Sequence, residues 1–314
     1  MAKLYSLLFA ICVPFDNSTS SSLMRNRYEQ WIAQHGRVYE NELEKEKRFR
    51  IFEKNVKYID TFNSANNKSY KIAPNAFTDL SNDEFLGRYT GMNVQLLESQ
   101  NKTSTSTSKF AYNNSLISIP SFVDWRQHGA VTSVKTQGPC GGCWAFAALV
   151  DFSEQNLIDC EYNSRGCTDE SSFHAFEYMQ SKGIMLEQNY LYQGKQGPCK
   201  VMTPTYTIKG FHIVGPNDRN ALMAAVSQQP VVIAIDSRGY FPYYSSGIYD
   251  GGCSYNPNHS VTLVGYGKDD QTGKDYWLVK NSWGESWGEK GYMRLLREVD
   301  LCPIGLYYPC VPIL

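Results

Sequence analysis

The sequence lacks an excess of charge of either sign. Its 314 residues include 30 Lys and Arg against 31 Asp and Glu, and its isoelectric point is near 6.5. Proteins that bind nucleic acid or anionic lipid usually carry a strong basic patch. We therefore expect no nucleic-acid partner and no membrane partner.

The apolar run near the N-terminus is too short to cross a lipid bilayer. It extends from Leu4 to Val13 and follows Lys3, a pattern typical of a secretory signal peptide, which we place at about residues 1–22. A frayed terminus of a cytosolic protein is the alternative. Four glycosylation sequons favour the secretory pathway and an extracellular, vacuolar or lysosomal glycoprotein: Asn17, Asn67, Asn101 and Asn113.

Cysteine is nearly absent from the first part of the chain. One cysteine lies at position 12, the next at position 140, and eight occur from there to position 310. Disulfides form in oxidising compartments. The pattern therefore predicts a removable first segment, followed by a domain that is stabilised by disulfides.

Hydrophobic periodicity divides the chain into segments of different structure. Apolar residues three or four apart predict two amphipathic helices within 22–63, and a Ser/Thr/Asn-rich stretch at 98–118 predicts an exposed linker that proteases can cleave. Beyond this linker we expect short helices near 143–160 and 172–182, then strands such as 230–235 and 261–266. This order indicates an α+β fold.

The strongest chemical signal surrounds Cys143. Two glycines precede it and an apolar helical run, 144–152, follows it, so Cys143 should lie in the first turn of a helix. The free amides and positive dipole end of a helix stabilise a thiolate, which is the reactive form of cysteine. Cys143 is therefore the candidate nucleophile.

The pair Cys140 and Cys143 also fits a redox dithiol or half of a zinc site. No second Cys-x-x-Cys pair follows at zinc-ligand spacing, and no β-α-β unit precedes the pair as a thioredoxin-like fold requires. Both alternatives are therefore weaker than the nucleophile.

A nucleophilic cysteine needs a base, and His259 is the best candidate. It opens one apolar strand, and the strand 276–280 ends at Asn281. If these strands form a hairpin centred on Asp270, His259 lies directly opposite Asn281. The sequence contains five histidines: His35, His128, His174, His212 and His259.

Three further residues complete the predicted site. The amide of Asn281 would orient the imidazole toward Cys143, and Gln137 would donate its side-chain amide to an oxyanion. Trp283 either covers the hydrogen bond between His259 and Asn281 or packs in an ordinary core.

Together these residues resemble the papain family of cysteine proteases, in particular its plant papain and bromelain-like members. The resemblance implies a two-domain fold, with a helical left domain and a β-barrel-like right domain, preceded by a helical inhibitory prosegment. The implied ranges are a prosegment at 23–97, a linker at 98–118 with the activation cleavage, and a peptidase domain at 119–314, divided into a helical half at 119–215 and a β-rich half at 216–314.

The family's prosegment helix motif matches Glu44, Arg48, Phe52, Asn55, Ile59 and Asn63. A second motif matches residues 73–79, with Ala73 in place of a glycine, which we expect to disturb one turn.

The resemblance also implies site residues and partners. It pairs six cysteines as Cys140–Cys167, Cys160–Cys199 and Cys253–Cys302, and leaves Cys310 unexplained. It places Glu170, Ala234, Pro257, Ser260 and Trp283 at substrate-binding positions. Expected partners are peptide or protein substrates, the chain's own prosegment and cystatin-like inhibitors. We expect a monomer that needs no cofactor and no metal.

Two departures from the family weaken the prediction of full activity. Only 16 residues separate Cys143 from Cys160, about half the family's usual number, so the central helix should be cut to about ten residues. Thr168, Asp169 and Glu170 replace the family's asparagine and two glycines.

The main prediction is a cysteine endopeptidase made as a zymogen. The alternatives are an impaired homologue that acts by binding or inhibition, and a storage protein.

Overall fold

The chain was analysed as a computed structural model that describes residues 17–65, 68–91, 108–109, 118–148, 151–162, 165–168, 171–200, 203–215, 218–251, 256–297 and 307–314. Most of the predicted signal peptide, three sequons and most of the predicted linker lie outside these ranges. Asp169, Glu170 and the predicted pair Cys253–Cys302 lie outside them as well.

Two long helices form the N-terminal part, as the periodicity predicts. Helix α1 spans Asn17–His35, and α2 spans Glu42–Ser64 and is capped by the side chain of Asn41. Their apolar faces pack together through buried aromatic residues because neither helix can bury its own stripe alone. This small core contains Tyr28, Trp31, Phe49, Phe52 and Val56.

Strand β1 (Tyr70–Ile72) and helix α3 (Asn82–Tyr89) continue this region. The motif residues of α2 hold both in place. The guanidinium of Arg48 donates to both carboxylate oxygens of Glu84, at 2.8 and 2.9 Å. The amide of Asn63 donates to the carbonyl of Ile72 at 2.6 Å. The polar motif positions therefore fix the chain that returns along α2.

Ala73 does not disturb its turn. Its backbone N–H donates to the carbonyl of Tyr243 at 2.8 Å, and in the described part of the chain only Lys290 among non-glycine residues has a positive φ. A side chain at position 73 is therefore tolerated without strain, contrary to our expectation.

The helical half of the next domain contains α4 (Cys143–Ala148), α5 (Glu154–Cys160) and α6 (Ser172–Ser181). Disulfide bonds Cys140–Cys167 and Cys160–Cys199 connect its loops. The predicted helical run 144–152 is too long, because α4 ends at Ala148. Phe152 forms a β-bridge with Leu186, the backbone N–H of Ser153 bonds to the carbonyl of Met185, and the Ser153 side chain caps α5, so the described residues 151–153 are not helical.

The remaining described strands are β2 (Ser108–Lys109), β3 (Val123–Asp124), β4 (Gly210–Ile213), β5 (Val231–Ile235), β6 (Tyr244–Tyr249), β7 (His259–Lys268), β8 (Asp275–Lys280), β9 (Tyr292–Leu296) and β10 (Tyr307–Ile313). Helix α7 (Arg219–Gln228) lies between β4 and β5.

All ten strands belong to one sheet with the order β1-β6-β9-β8-β7-β5-β10-β4-β2, and β3 pairs with β7. The fold mixes helices and sheet as predicted, and the described strands form an open sheet that is not closed into a barrel. Strand β4, which falls within the range predicted as the helical half, pairs with β10. The two halves therefore share the sheet.

The predicted register of the hairpin β7–β8 is wrong. Thr262 pairs with Lys280, whereas nearer the turn Tyr266 pairs with Trp277, and an irregularity lies between Leu263 and Gly265. The register beside the site is shifted by two residues from the prediction. A shift of two keeps each side chain on its predicted face.

Within the described ranges, no helix is both long enough and apolar enough to cross a membrane.

Candidate active site

Cys143 is the first residue of α4 and is fully buried. Burial is the largest influence on its thiol and raises the pKa of Cys143. Backbone N–H groups of Ser260, Gly91 and Trp144, and of Cys143 itself, act in the opposite direction because they favour the thiolate. The thiol therefore lies at a helix start, beside the first residues of β7, in a site that is closed to solvent.

The two glycines before Cys143 lie close to neighbouring atoms, and Gly141 is required by a backbone contact. A Cβ atom on Gly141 would overlap the carbonyl oxygen of Cys167, and one on Gly142 would lie 3.0 Å from the Cδ1 atom of Ile158. Ile158 belongs to α5, which follows the shortened α4 closely. Gly142, where the family usually has serine or alanine, thus matches the local packing.

The Nε2 atom of His259 donates a hydrogen bond to the Oδ1 atom of Asn281 at 2.8 Å. The same Oδ1 accepts the backbone N–H of Ser282 at 2.8 Å, which fixes the amide's orientation. Since a carbonyl oxygen only accepts, the proton is on Nε2 and Nδ1 keeps its lone pair. This Nδ1 is buried and has no hydrogen-bond partner among the described residues.

Burial lowers the pKa of His259 to about 4, although the bond to Asn281 acts in the opposite direction. The imidazole is therefore neutral in this state of the chain, and its unprotonated nitrogen is the one not held by Asn281.

Trp283 stacks on the imidazole of His259, with ring centroids 4.6 Å apart and an angle of 23° between the planes. It also contacts Phe241 and Trp287 edge-on. Trp283 therefore covers the histidine and belongs to the larger hydrophobic core, so the two alternative roles are combined in one side chain.

Gln137 is fully buried beside the helix start. Its Nε2 atom donates to the carbonyl of Cys140 at 2.8 Å and to the carbonyl of Tyr89 at 3.2 Å, and its Oε1 accepts from the hydroxyl of Ser282 at 2.6 Å. Ser282 thus orients the Gln137 amide. Ser282 is not among the site residues predicted from the sequence, although its position directly after Asn281 is a usable signal.

The backbone of the N-terminal region passes across the site. Tyr89 reaches Gln137, and the N–H of Gly91 faces the Cys143 thiol. A Cβ atom on Gly91 would overlap the carbonyl oxygen of Gly141, so only glycine fits this crossing. The residues around 89–91 therefore occupy the cleft.

Aromatic side chains anchor the same region to the site. Phe77 and Phe85 contact Trp283 edge-on, with centroids 5.4 and 5.2 Å apart. Trp283 thus packs between the imidazole of His259 and the aromatic side chains of the N-terminal region.

The positions predicted to bind substrate are near the site where they are described. Ala234 pairs with Ser260 across β5 and β7, and the hydroxyl of Ser172 donates to that of Ser260 at 3.3 Å. Pro257 is buried just before His259. Their role in substrate binding stays a prediction, and Glu170 lies outside the described residues.

In the described part of the chain, no group of three or more His, Cys, Asp or Glu side chains is arranged to hold a metal ion.

Comparison with known proteins places these features in a family. Residues 119–310 match the model of the papain family cysteine proteases, and residues 28–85 match the cathepsin propeptide inhibitor domain. The chain belongs to the papain family of cysteine proteases. It is the precursor form of a thiol protease, in which the N-terminal region is an inhibitory prosegment.

Named relatives are similar over most of this chain. Fruit bromelain of Ananas comosus is 40% identical, over 88% of this chain and 82% of the relative. A senescence-specific cysteine protease of Arabidopsis thaliana is 41% identical, over 98% and 95%. That alignment extends over 336 positions, more than the 314 residues of this chain, so the relative contains segments that this chain lacks.

Solved precursor structures agree with the fold. The recombinant stem bromelain precursor superposes with a TM-score of 0.83 at 40% identity, covering 93% of this chain and 99% of that one. The proform of a ragweed pollen cysteine protease superposes with a TM-score of 0.85 at 36% identity, covering 94% and 96%.

Proposed function

We propose that this chain is the zymogen of an endopeptidase that cleaves peptide bonds through an acyl-enzyme on Cys143. The observation that carries the proposal is the bond between Nε2 of His259 and Oδ1 of Asn281, because it leaves the lone pair of Nδ1 for the thiol proton. Asn281 is the orienting residue, and Trp283 shields that hydrogen bond from water.

The reaction follows from these groups once the prosegment has left. Nδ1 of His259 takes the thiol proton, and the Cys143 thiolate attacks the carbonyl carbon of the scissile bond. The negative oxygen accepts hydrogen bonds from the side chain of Gln137 and the backbone N–H of Cys143. The imidazolium then protonates the leaving amine. A water molecule, deprotonated by the same nitrogen, hydrolyses the thioester and releases the thiolate.

The prosegment prevents this reaction by occupying the donors and the thiol. The carbonyl of Tyr89 takes the bond from Gln137 that a reacting oxygen would need, and Gly91 closes access to Cys143. We propose that cleavage in 98–118 removes the prosegment, and that the mature enzyme begins near Ile119 and acts on peptide or protein substrates as a monomer. Cystatin-like inhibitors would compete for the same cleft.

The secretory pathway is the compartment we propose, and a vacuole or the extracellular space the destination. The disulfide bonds Cys140–Cys167 and Cys160–Cys199 support it, because such bonds persist in oxidising compartments.

A second candidate function is binding or inhibition by a catalytically impaired homologue. The six-residue length of α4 favours it, because this helix positions the nucleophile. A helix this short has little stability of its own, so the position of Cys143 depends on the packing of α4 against its neighbours.

One experiment separates the two functions. The purified precursor is incubated at mildly acidic pH while prosegment loss, alkylation of Cys143 and peptide hydrolysis are followed together. We expect all three to appear in the wild type and none in Cys143→Ala. Cys310→Ala is the matched control, because Cys310 is also a buried free cysteine, and it should process normally. A wild-type chain that neither processes nor hydrolyses peptides, even after another protease removes the prosegment, would establish the second function.

A further inference from the structure

A large cavity opens where α4 ends. Its volume is about 740 Å³. Its walls are largely apolar. They come from the end of α4, the segment before α5, helix α6 and strand β5: Ala147, Ala148, Phe152, Phe176, Met179 and Val232. Tyr206 and Leu314, which are exposed, also line it and mark where it reaches the surface. The volume lies within the range of about 300–1,000 Å³ that is usual for small-molecule sites.

One wall of this cavity carries a positive charge without a carboxylate partner. The ammonium of Lys280 donates to the hydroxyl of Thr132 at 3.2 Å. Among the described residues it forms no ion pair. Burial and the charge of Lys135 lower the pKa of Lys280 to about 8, although the charge of Glu154 acts in the opposite direction. Lys280 is partly buried, and a charge that is partly removed from water is stabilised by an opposite charge beside it.

The carboxylate that acts on Lys280 is that of Glu154, and it is already engaged. Glu154 accepts from Lys135 at 2.9 Å, and Lys135 also approaches Glu187 at 3.5 Å. A void of about 20 Å³ is lined by Glu154 and Lys280 together, which is room for about one water molecule. Lys280 thus faces Glu154 across this void without an ion pair among the described residues, and it also lines the apolar cavity.

We propose that this cavity binds an amphiphile with one apolar chain and a carboxylate head, the head pairing with Lys280 and the chain filling the space lined by Phe176 and Met179. The apolar chain would lose water-exposed surface on every side. A carboxylate would supply the anionic hydrogen-bond partner that the ammonium lacks among the described residues.

The bound chain would contact the C-terminal end of α4, whose first residue is Cys143. The carbonyl of Ala147 accepts a hydrogen bond from the Thr262 hydroxyl at 3.0 Å, so this end of α4 is connected to β7. A bound apolar chain would supply apolar contacts that a longer α4 would otherwise make in this cavity. It should stabilise the folded chain by mass action.

The test uses the intact precursor with dodecanoate and, as the uncharged match, dodecanol, both below micelle formation. Calorimetry gives the affinities and thermal unfolding gives the stabilisation. We expect Lys280→Met to weaken dodecanoate binding by about tenfold or more, because a hydrogen bond to a charged group is lost, and to leave dodecanol binding unchanged. Lys268→Met removes an exposed lysine from the end of β7 and should change neither affinity.

Two further variants keep the proposal falsifiable. Lys280→Arg retains the charge and should retain the preference for dodecanoate if Lys280→Met fails to fold. Ala148→Trp fills the cavity beside α4 and should abolish binding of both compounds. The proposal is overturned if neither compound binds the wild type, if Lys280→Met binds dodecanoate normally, or if Ala148→Trp leaves both affinities intact.

Discussion

The side-chain amide of Gln137 donates a hydrogen bond to the backbone carbonyl of Tyr89, at 3.2 Å. The two residues belong to the peptidase domain and the prosegment, respectively. In the proposed mechanism, the reacting oxygen of a substrate accepts a hydrogen bond from this same amide. The carbonyl of Tyr89 therefore occupies the position of that oxygen in the precursor. Removal of this one donor should therefore affect both catalysis and inhibition.

We expect Gln137→Ala to lower the kcat of the processed enzyme by about 100- to 1,000-fold, as the loss of one oxyanion donor does elsewhere. Ser282→Ala should lower kcat less, because its hydroxyl only orients the Gln137 amide. Steady-state kinetics of both variants check this. Gln127→Ala, on the protein surface, is the control and should retain wild-type kcat. An unchanged kcat in Gln137→Ala would remove this residue from the mechanism.

The protonation state of His259 should change when the prosegment leaves. In the precursor, burial lowers the pKa of His259 from 6.5 to about 4. The exposed imidazole binds a proton more readily, so acid favours the open state, and the closed precursor loses stability as pH falls from about 6.5 towards about 4. Histidine NMR titration of Cys143→Ala, with and without the prosegment, measures this shift. A titration near 6.5 with the prosegment in place would contradict it.

The Cys143 thiol should be slow to alkylate in the precursor and fast in the processed enzyme. Burial raises its pKa while the prosegment covers it, so little thiolate forms. Iodoacetamide labelling followed by mass spectrometry measures both rates. Cys310 is the internal control: burial raises its pKa as well, and it lies inside the sheet on β10, so it should stay unreactive in both forms. Equal rates for Cys143 in the two forms would contradict the inhibitory role of Gly91.

Acid should also loosen the prosegment through Glu84. Burial raises its pKa, but hydrogen bonds from Arg48 and Ser81 outweigh burial and lower the pKa from 4.5 to about 2. A lowered carboxylate pKa stabilises the folded state above about 4.5, and that stabilisation is lost as pH falls towards about 2. We expect Arg48→Met to activate faster than wild type and with a flatter pH dependence below 4.5.

The matched control for that experiment lies one half-turn along α2. Arg50 is exposed and pairs with Glu46 on the helix surface, so Arg50→Met should process at the wild-type rate. Equal acceleration in both variants would attribute the effect to α2 stability in general.

Phe85 should contribute to the closed state through Trp283. We expect a double-mutant cycle of Phe85→Ala and Trp283→Ala in the Cys143→Ala precursor to give a coupling of about 0.5–1.5 kcal/mol in the free energy of unfolding, as for other edge-on aromatic pairs. Denaturant unfolding provides the measurement. Leu43→Ala removes an exposed side chain of α2 and should show no coupling to Trp283→Ala.

Sequence patterns could predict the parts of the fold that depend on periodicity. The helices around Trp31 and Phe52 and the apolar strands β5 and β7 carry regular patterns, and they lie where the patterns place them. The end of α4 carried no such signal. The apolar pattern continues past Ala148 to Phe152, whereas Ser153 bonds to Met185, a partner that is distant in sequence.

The contact between His259 and Asn281 could also be predicted only in part from the sequence. Strand assignment and the alternation of faces placed the two side chains on one side of the hairpin, which was sufficient to bring them together. The register depends on a bulge near Val264 and on a turn centred later than Asp270, and neither follows from alternation alone. The contact between Gln137 and Tyr89 was equally hidden, because it joins backbone to side chain across 48 positions.

Strands β1 and β2 lie at the two ends of the sheet, and both precede residue 119. Cleavage near Ile119 would therefore strip the sheet at both ends, leaving β6 and β4 with unpaired backbone groups. Open edge strands can pair with neighbouring molecules and start aggregation. In the precursor the edges of the sheet are instead β1 and β2, which are three and two residues long, and such short edge strands offer little backbone for pairing with another chain. The N-terminal region would thereby protect β6 and β4 until cleavage.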